Sequence, residues 1–108
     1  MLTIELQDCI AHCTICAEEC TRCAKICEAA GNMMLAATCF ECSAHCEKCV
    51  IVMRNGSNAH CAHCAEACAH CATECERESD ADIQHCAKVC RECAEACRKS
   101  AETPPHDE

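Results

Sequence analysis

The sequence predicts an all-α protein, an antiparallel up-down-up-down four-helix bundle with a cysteine-lined core. Three observations predict it. The nineteen cysteines of this 108-residue chain fall into four groups. Within every group successive cysteines lie three or four residues apart in strict alternation, a mean of about 3.5, which is the period of one seam along a supercoiled helix. The stretches between groups are short and carry helix-stop and helix-start residues, so sequential helices must run antiparallel.

The first helix holds Cys9, Cys13, Cys16, Cys20, Cys23 and Cys27 and stops at Gly31-Asn32, where a glycine suits a left-handed cap. The second holds Cys39, Cys42, Cys46 and Cys49 and stops at Asn55-Gly56. The third holds Cys61, Cys64, Cys68, Cys71 and Cys75, with Ser57 or Asn58 as its N-cap. For the fourth, with Cys86, Cys90, Cys93 and Cys97, Ser79 followed by Asp82 resembles a capping box. Such helices would have roughly 20 to 28 residues and span about 30 to 40 Å. Pro104-Pro105 closes the ordered part, which gives one bundle domain over residues 1–103 and a flexible tail over 104–108.

Extending the seams beyond the cysteines places Leu2, Leu6, Leu35, Met53 and Ile83 as apolar plugs at the two ends of a thiol-lined tube. Seam neighbours are small, including Ala17, Ala24, Ala65, Ala67, Ala72, Ala87, Ala94 and Ala96, which permits close helix approach. Glu18, Arg22, Lys25, Glu47 and Glu92 fall on the water-facing side. The segments also look like diverged copies of one unit: Cys-Ala-His-Cys-Ala-Glu-Ala-Cys at 61–68 parallels Cys-Arg-Glu-Cys-Ala-Glu-Ala-Cys at 90–97. Repetition of this kind calls for many equivalent sites rather than one special site.

Composition narrows the function. Leu, Ile, Val and Phe number only thirteen and the formal charge is -9, a balance that ordinarily leaves a chain disordered. Free cysteine packs as a small hydrophobe, so thiols supply the missing core, with less driving force than leucine. Nine basic residues against eighteen acidic ones, with a single aromatic, argue against nucleic acid as a partner. The first eight residues show no basic patch or apolar run, so neither a secretory signal nor a membrane span is expected and the predicted location is the cytoplasm. Thiols stay reduced there, and an odd cysteine count cannot pair completely; both favour metal binding over a disulfide scaffold.

Residues at i,i+3 and i,i+4 on a helix bring their sulfurs close enough to share one ion; a linear two-coordinate ion needs them about 4.5 Å apart. Soft thiolates select Cu(I). Zinc would need closed tetrahedra of four thiolates, each leaving about -2 in an apolar tube, whereas one Cu⁺ in place of each thiol proton leaves the interior neutral. The expected cargo is therefore many Cu(I) ions, on the order of one per cysteine if sulfurs bridge. Copper donor or acceptor proteins are the expected partners. The alternatives are an iron-sulfur electron-transfer protein, since Cys-x-x-Cys recurs, or a zinc- or cadmium-sequestering protein; the loop-borne cluster motif ending in Cys-Pro is absent. No activated nucleophile or acid-base pair stands out, so no enzymatic activity is expected.

His63 and His70 are expected on an outer face, while His12, His45 and His60 flank the seams and His85 adjoins Cys86. Antiparallel packing puts Met33, Met34 and His85 at one end of the tube, and Met53, His12 and His60 toward the other, where thioether and imidazole could admit metal.

With its four alternating seams, led by Cys-x3-Cys-x2-Cys-x3-Cys-x2-Cys-x3-Cys at 9–27, the chain resembles the bacterial four-helix-bundle copper-storage proteins over essentially its whole length. That resemblance implies inward-facing cysteines that store Cu(I) and buffer excess copper. It implies the cytosolic branch and a homo-oligomer, often a tetramer, for which Ile15, Phe40 and Ile51 are candidate interface residues.

Overall fold

The computed structural model describes residues 2–102, and the expected tail at 104–108 lies outside them. Four α-helices follow in order: α1 (Ile4–Ala29), α2 (Met33–Arg54), α3 (Cys61–Glu76) and α4 (Ala81–Glu102). Each packs on its two neighbours in a closed ring, α1 on α2 and α4, α3 on α2 and α4. The α2–α3 pair is the most loosely packed of the four. The result is a rod 50 × 18 × 17 Å in extent. No strand occurs among the described residues.

The helix ends follow from local chemistry. Thr3 Oγ1 accepts a hydrogen bond from the Leu6 amide at 3.1 Å and starts α1, and Asn32 Oδ1 accepts one from the Leu35 amide at 3.2 Å and starts α2. Gly31 and Gly56 have φ of +83° and +85° and carry the chain out of α1 and α2 as expected. At Gly31 the turn is closed by the Asn32 amide on the Cys27 carbonyl at 2.8 Å; the Ser57 amide on Val52 does the same after Gly56 at 3.3 Å.

Two expected caps are corrected. Neither Ser57 nor Asn58 caps α3: its N-cap is His60, whose side chain makes no capping bond. The two residues are consumed by the preceding turn, where Ser57 Oγ accepts from the Ala59 amide and Asn58 Nδ2 donates to the Ser100 carbonyl at 2.9 Å. For α4 the cap is Asp80 rather than Ser79, because Asp80 Oδ1 accepts from the amides of both Asp82 (2.8 Å) and Ile83 (3.2 Å). Starting only at Cys61, α3 has 16 residues, fewer than the roughly 20 to 28 expected, while the other helices have 26, 22 and 22.

All nineteen cysteines are buried and free. Leu6, Leu35, Met53 and Ile83 are buried at the ends of the core, and Leu2 packs against it half-buried. Of the small neighbours, Ala17, Ala24, Ala72, Ala87 and Ala96 are buried, while Ala65, Ala67 and Ala94 are half-buried. Two buried hydroxyls join helices: Ser43 Oγ donates to the Ala17 carbonyl at 3.0 Å, and Ser100 Oγ donates to the Glu5 carbonyl at 3.1 Å. Each satisfies its own polar group while binding α1 to a neighbour, so little is lost by burial. Across the outside of α3 and α4, Arg91 grips the Glu76 carboxylate through two nitrogens at 2.9 Å. Being exposed to solvent, that pair contributes little to stability.

Candidate metal centre

Because each seam presents a cysteine about once per turn to a common axis, the sulfurs form one continuous column. Within a helix the steps are short, as between Cys9 and Cys13 (3.9 Å), Cys16 and Cys20 (3.8 Å) and Cys93 and Cys97 (4.0 Å). Steps between helices cover 3.5 to 4.0 Å: Cys13 to Cys97 is 3.5 Å, Cys20 to Cys90 3.5 Å, Cys46 to Cys68 3.6 Å, Cys49 to Cys61 3.8 Å and Cys39 to Cys75 4.0 Å. Thiolates around a three-coordinate ion with bonds of about 2.3 Å stand about 4.0 Å apart, so this spacing suits three-coordination directly and two-coordination after slight expansion.

Groups of four sulfurs, all within 4.8 Å of one another, follow along the axis. Cys13, Cys49, Cys64 and Cys97 form one such group, with one residue from each helix; Cys13, Cys46, Cys64 and Cys93 form the next. The series continues with Cys16, Cys46, Cys68 and Cys93, then Cys16, Cys20, Cys42 and Cys90, then Cys20, Cys71, Cys86 and Cys90. Neighbouring groups share members: Cys13 and Cys64 link the first two, Cys46 and Cys93 the next two, and Cys20 and Cys90 the last two. Shared sulfurs cannot all close independent tetrahedra around zinc. They suit ions bridged by common thiolates.

The same proximity perturbs the thiols. Cys97, hydrogen-bonded first by Cys13, is lowered to about 6, whereas burial above all pushes Cys27 up to about 12. Cys13, Cys20 and Cys68 are also raised, chiefly by their interactions with neighbouring thiols, Cys46 first for Cys13 and Cys16 first for Cys20 and Cys68.

The remaining candidates are placed as follows. Met33 and Met34 are exposed at one end of the bundle, with His85 exposed at the start of α4 on the same end. At the opposite end Met53 is fully buried as a plug. His12 lies 3.8 Å from Asp8 on the outside of α1. His60 turns sideways: its Nε2 is 3.2 Å from His45 Nδ1, and its ring stacks on those of His45 and His63. Burial first, then the nearby Lys48 charge, hold the His60 imidazole below its ordinary range. This histidine cluster was not legible in the sequence, since it joins α2 to the N-terminus of α3, and only His60 and His63 have helical spacing to betray them.

Comparison with known proteins agrees with this geometry. The copper storage protein family matches residues 3–102. The chain belongs to that family. A Cu(I)-bound copper storage protein, BsCsp3, superposes with a TM-score of 0.78 at 33% identity, over 90% of this chain and 98% of that one. Apo copper storage protein 3 from Bacillus subtilis gives a TM-score of 0.76 at 34% identity, over 88% and 97% of the respective chains. A search of curated proteins gave no significant match.

Proposed function

We propose that this member of the copper storage family holds many Cu(I) ions along its axis, with all nineteen cysteines as thiolate ligands, for storage, buffering and detoxification of copper. The observation that carries this reading is the sharing of sulfurs between successive groups, because only a soft ion that tolerates bridging thiolates fills such a column without stranding charge. Binding replaces each thiol proton by Cu⁺, and the displaced proton leaves to water.

Residues 1–103 act as one storage domain whose role is accumulation rather than catalysis. No helix among the described residues is long and apolar enough to cross a membrane; storage on reduced thiolates suits a cytoplasmic location, where glutathione and thioredoxin keep thiols reduced. Ile15, Phe40 and Ile51 remain exposed, by 56%, 38% and 64%, and supply the apolar contacts of a homotetramer. Met33, Met34 and His85 offer soft and borderline groups for contact with donor or acceptor proteins at one end of the bundle, and the imidazoles of His12 and His60 do so toward the other, where Met53 is a buried plug.

Anaerobic titration with a calibrated Cu(I) chelator, with bound metal counted by elemental analysis, tests the reading. The expected capacity is on the order of one ion per cysteine, in a colourless protein with copper-dependent ultraviolet absorption. Saturation at about four ions with thiols left reactive would overturn it in favour of zinc-like sites, and a brown protein with visible absorption in favour of iron-sulfur clusters.

A further inference from the structure

The ends of the sulfur column are covered. Leu6 and Met53 close one end and Leu35 and Ile83 the other, all buried, and the cysteines behind them expose nothing. A single cysteine, Cys42, keeps any accessible surface, 1% of it. It does so at the side of the bundle, in a groove of about 290 Å³ between the two least tightly packed helices, α2 and α3. That groove is lined by His45, His63, His70, Glu41 and Glu66 around Cys42. Three other grooves formed by described residues reach no cysteine: one further along α2 and α3 beside Met34 and Glu74, one between α3 and α4 lined by alanines and charged residues, and one between α1 and α4 beside His12 and Lys99.

At the edge of the groove His45 and His60 present nitrogens 3.2 Å apart. This contact is a hydrogen bond between the two rings; two imidazole nitrogens on one tetrahedral ion, at bonds of about 2.0–2.1 Å, stand about 3.3–3.4 Å apart, so an ion takes the place of the shared proton with little change in separation once the donor ring shifts tautomer. The His45 and His60 rings are stacked, with centroids 5.3 Å apart and planes at 16°. The exposed His63, with its ring centroid 5.8 Å from that of His60, places a third imidazole beside the pair. Inside the groove, Cys42 Sγ is 3.7 Å from Cys68 Sγ, and Cys42 belongs to the same four-sulfur group as Cys16, Cys20 and Cys90, midway along the column.

We propose that the α2–α3 groove is a lateral copper port, in which His45, His60 and His63 capture a Cu(I) ion and Cys42 passes it to Cys68 at the middle of the core. The inference rests on the storage reading above and adds a route to it. Imidazole is a borderline ligand that holds copper less firmly than thiolate, so the gradient of ligand softness runs inward. Each step is ligand exchange without electron transfer: Cu⁺ leaves neutral nitrogen for sulfur, and the proton displaced from the Cys42 thiol departs through the groove. Metal delivered to the middle reaches both halves of the column, and no apolar plug has to move.

The test compares rates and capacities of Cu(I) uptake from a chromogenic chelator under anaerobic conditions. A triple variant, His45→Gln, His60→Gln and His63→Gln, should load at an initial rate lower by about tenfold yet reach wild-type capacity, because the column is untouched. His63→Gln alone, an exposed change that leaves the fold intact, should slow loading in the same direction. A variant of the exposed end, Met33→Leu, Met34→Leu and His85→Gln, should keep most of the wild-type rate. Wild-type rates in both histidine variants, or a slow end variant beside a fast groove variant, would overturn the port while leaving storage standing. Failure of the wild-type protein to accumulate copper would instead overturn the storage reading, and the port with it.

Discussion

A cysteine in this bundle is at once a core residue and a ligand, and the two roles ask for different things. As a core residue it contributes less burial energy than leucine; as a ligand it must keep a sulfur at 3.5 to 4.0 Å from its neighbours. The overlap of ligand groups has a measurable consequence. Changing Cys16, Cys42, Cys68 and Cys93 to serine together removes members from three of the shared groups but leaves Cys13, Cys49, Cys64 and Cys97 complete, as well as Cys20, Cys71, Cys86 and Cys90. Copper capacity should fall by roughly a fifth, read by elemental analysis on protein that keeps its helical ellipticity, while the remaining ions stay bound. Loss of all binding would mean one discrete cofactor site. Two residues without an obvious role in the pattern, Ser43 and Ser100, prove to be cross-helix hydrogen bonders; the sequence places them beside the seams but says nothing of the carbonyls they meet on α1.

At the scale of the helix, stops were more legible than starts. Gly31 and Gly56 are positions where only glycine takes positive φ at little cost, so composition alone marks them. Starts depend on which of several adjacent Asx and Ser residues reaches an amide, a choice made by the path of the turn. The cap of α4 provides a direct check. Asp80→Ala removes an acceptor shared by two amides and should lower stability to urea by about 1 kcal/mol, whereas Ser79→Ala should change it by only a few tenths. Equal effects of the two substitutions would restore Ser79 as the cap. The shorter α3 follows from the same turn, since Asn58 is held to Ser100 on α4 and cannot begin a helix where its sequence suggests.

For the molecule as a whole, a core of thiols ties stability to protons and to metal. In the folded chain burial pushes the Cys27 thiol from its ordinary value near 9 to about 12. Its folded value lies above its unfolded one, so its contribution is complete below about 9 and is lost as pH rises toward about 12. Thermal melts of metal-free protein should therefore fall more steeply across that range in the wild type than in Cys27→Ala, while Cu(I)-loaded protein, with no thiol proton to hold, should change little. Parallel slopes for wild type and variant would show that this thiol does not retain its proton in the fold.

The sequence by itself determined the fold class, the four seams and which residues line the core, because a 3.5-residue period of one chemically distinct residue leaves few arrangements that hide it from water. Tertiary structure decided which sulfurs from different helices meet, which groups share members, and which side of the bundle opens. Those properties depend on relative axial shift and on unequal packing between helix pairs. Neither quantity is encoded within any one helix. The union of His45 on α2 with His60 and His63 on α3 has the same origin: it exists only because a turn of particular length sets two antiparallel helices side by side.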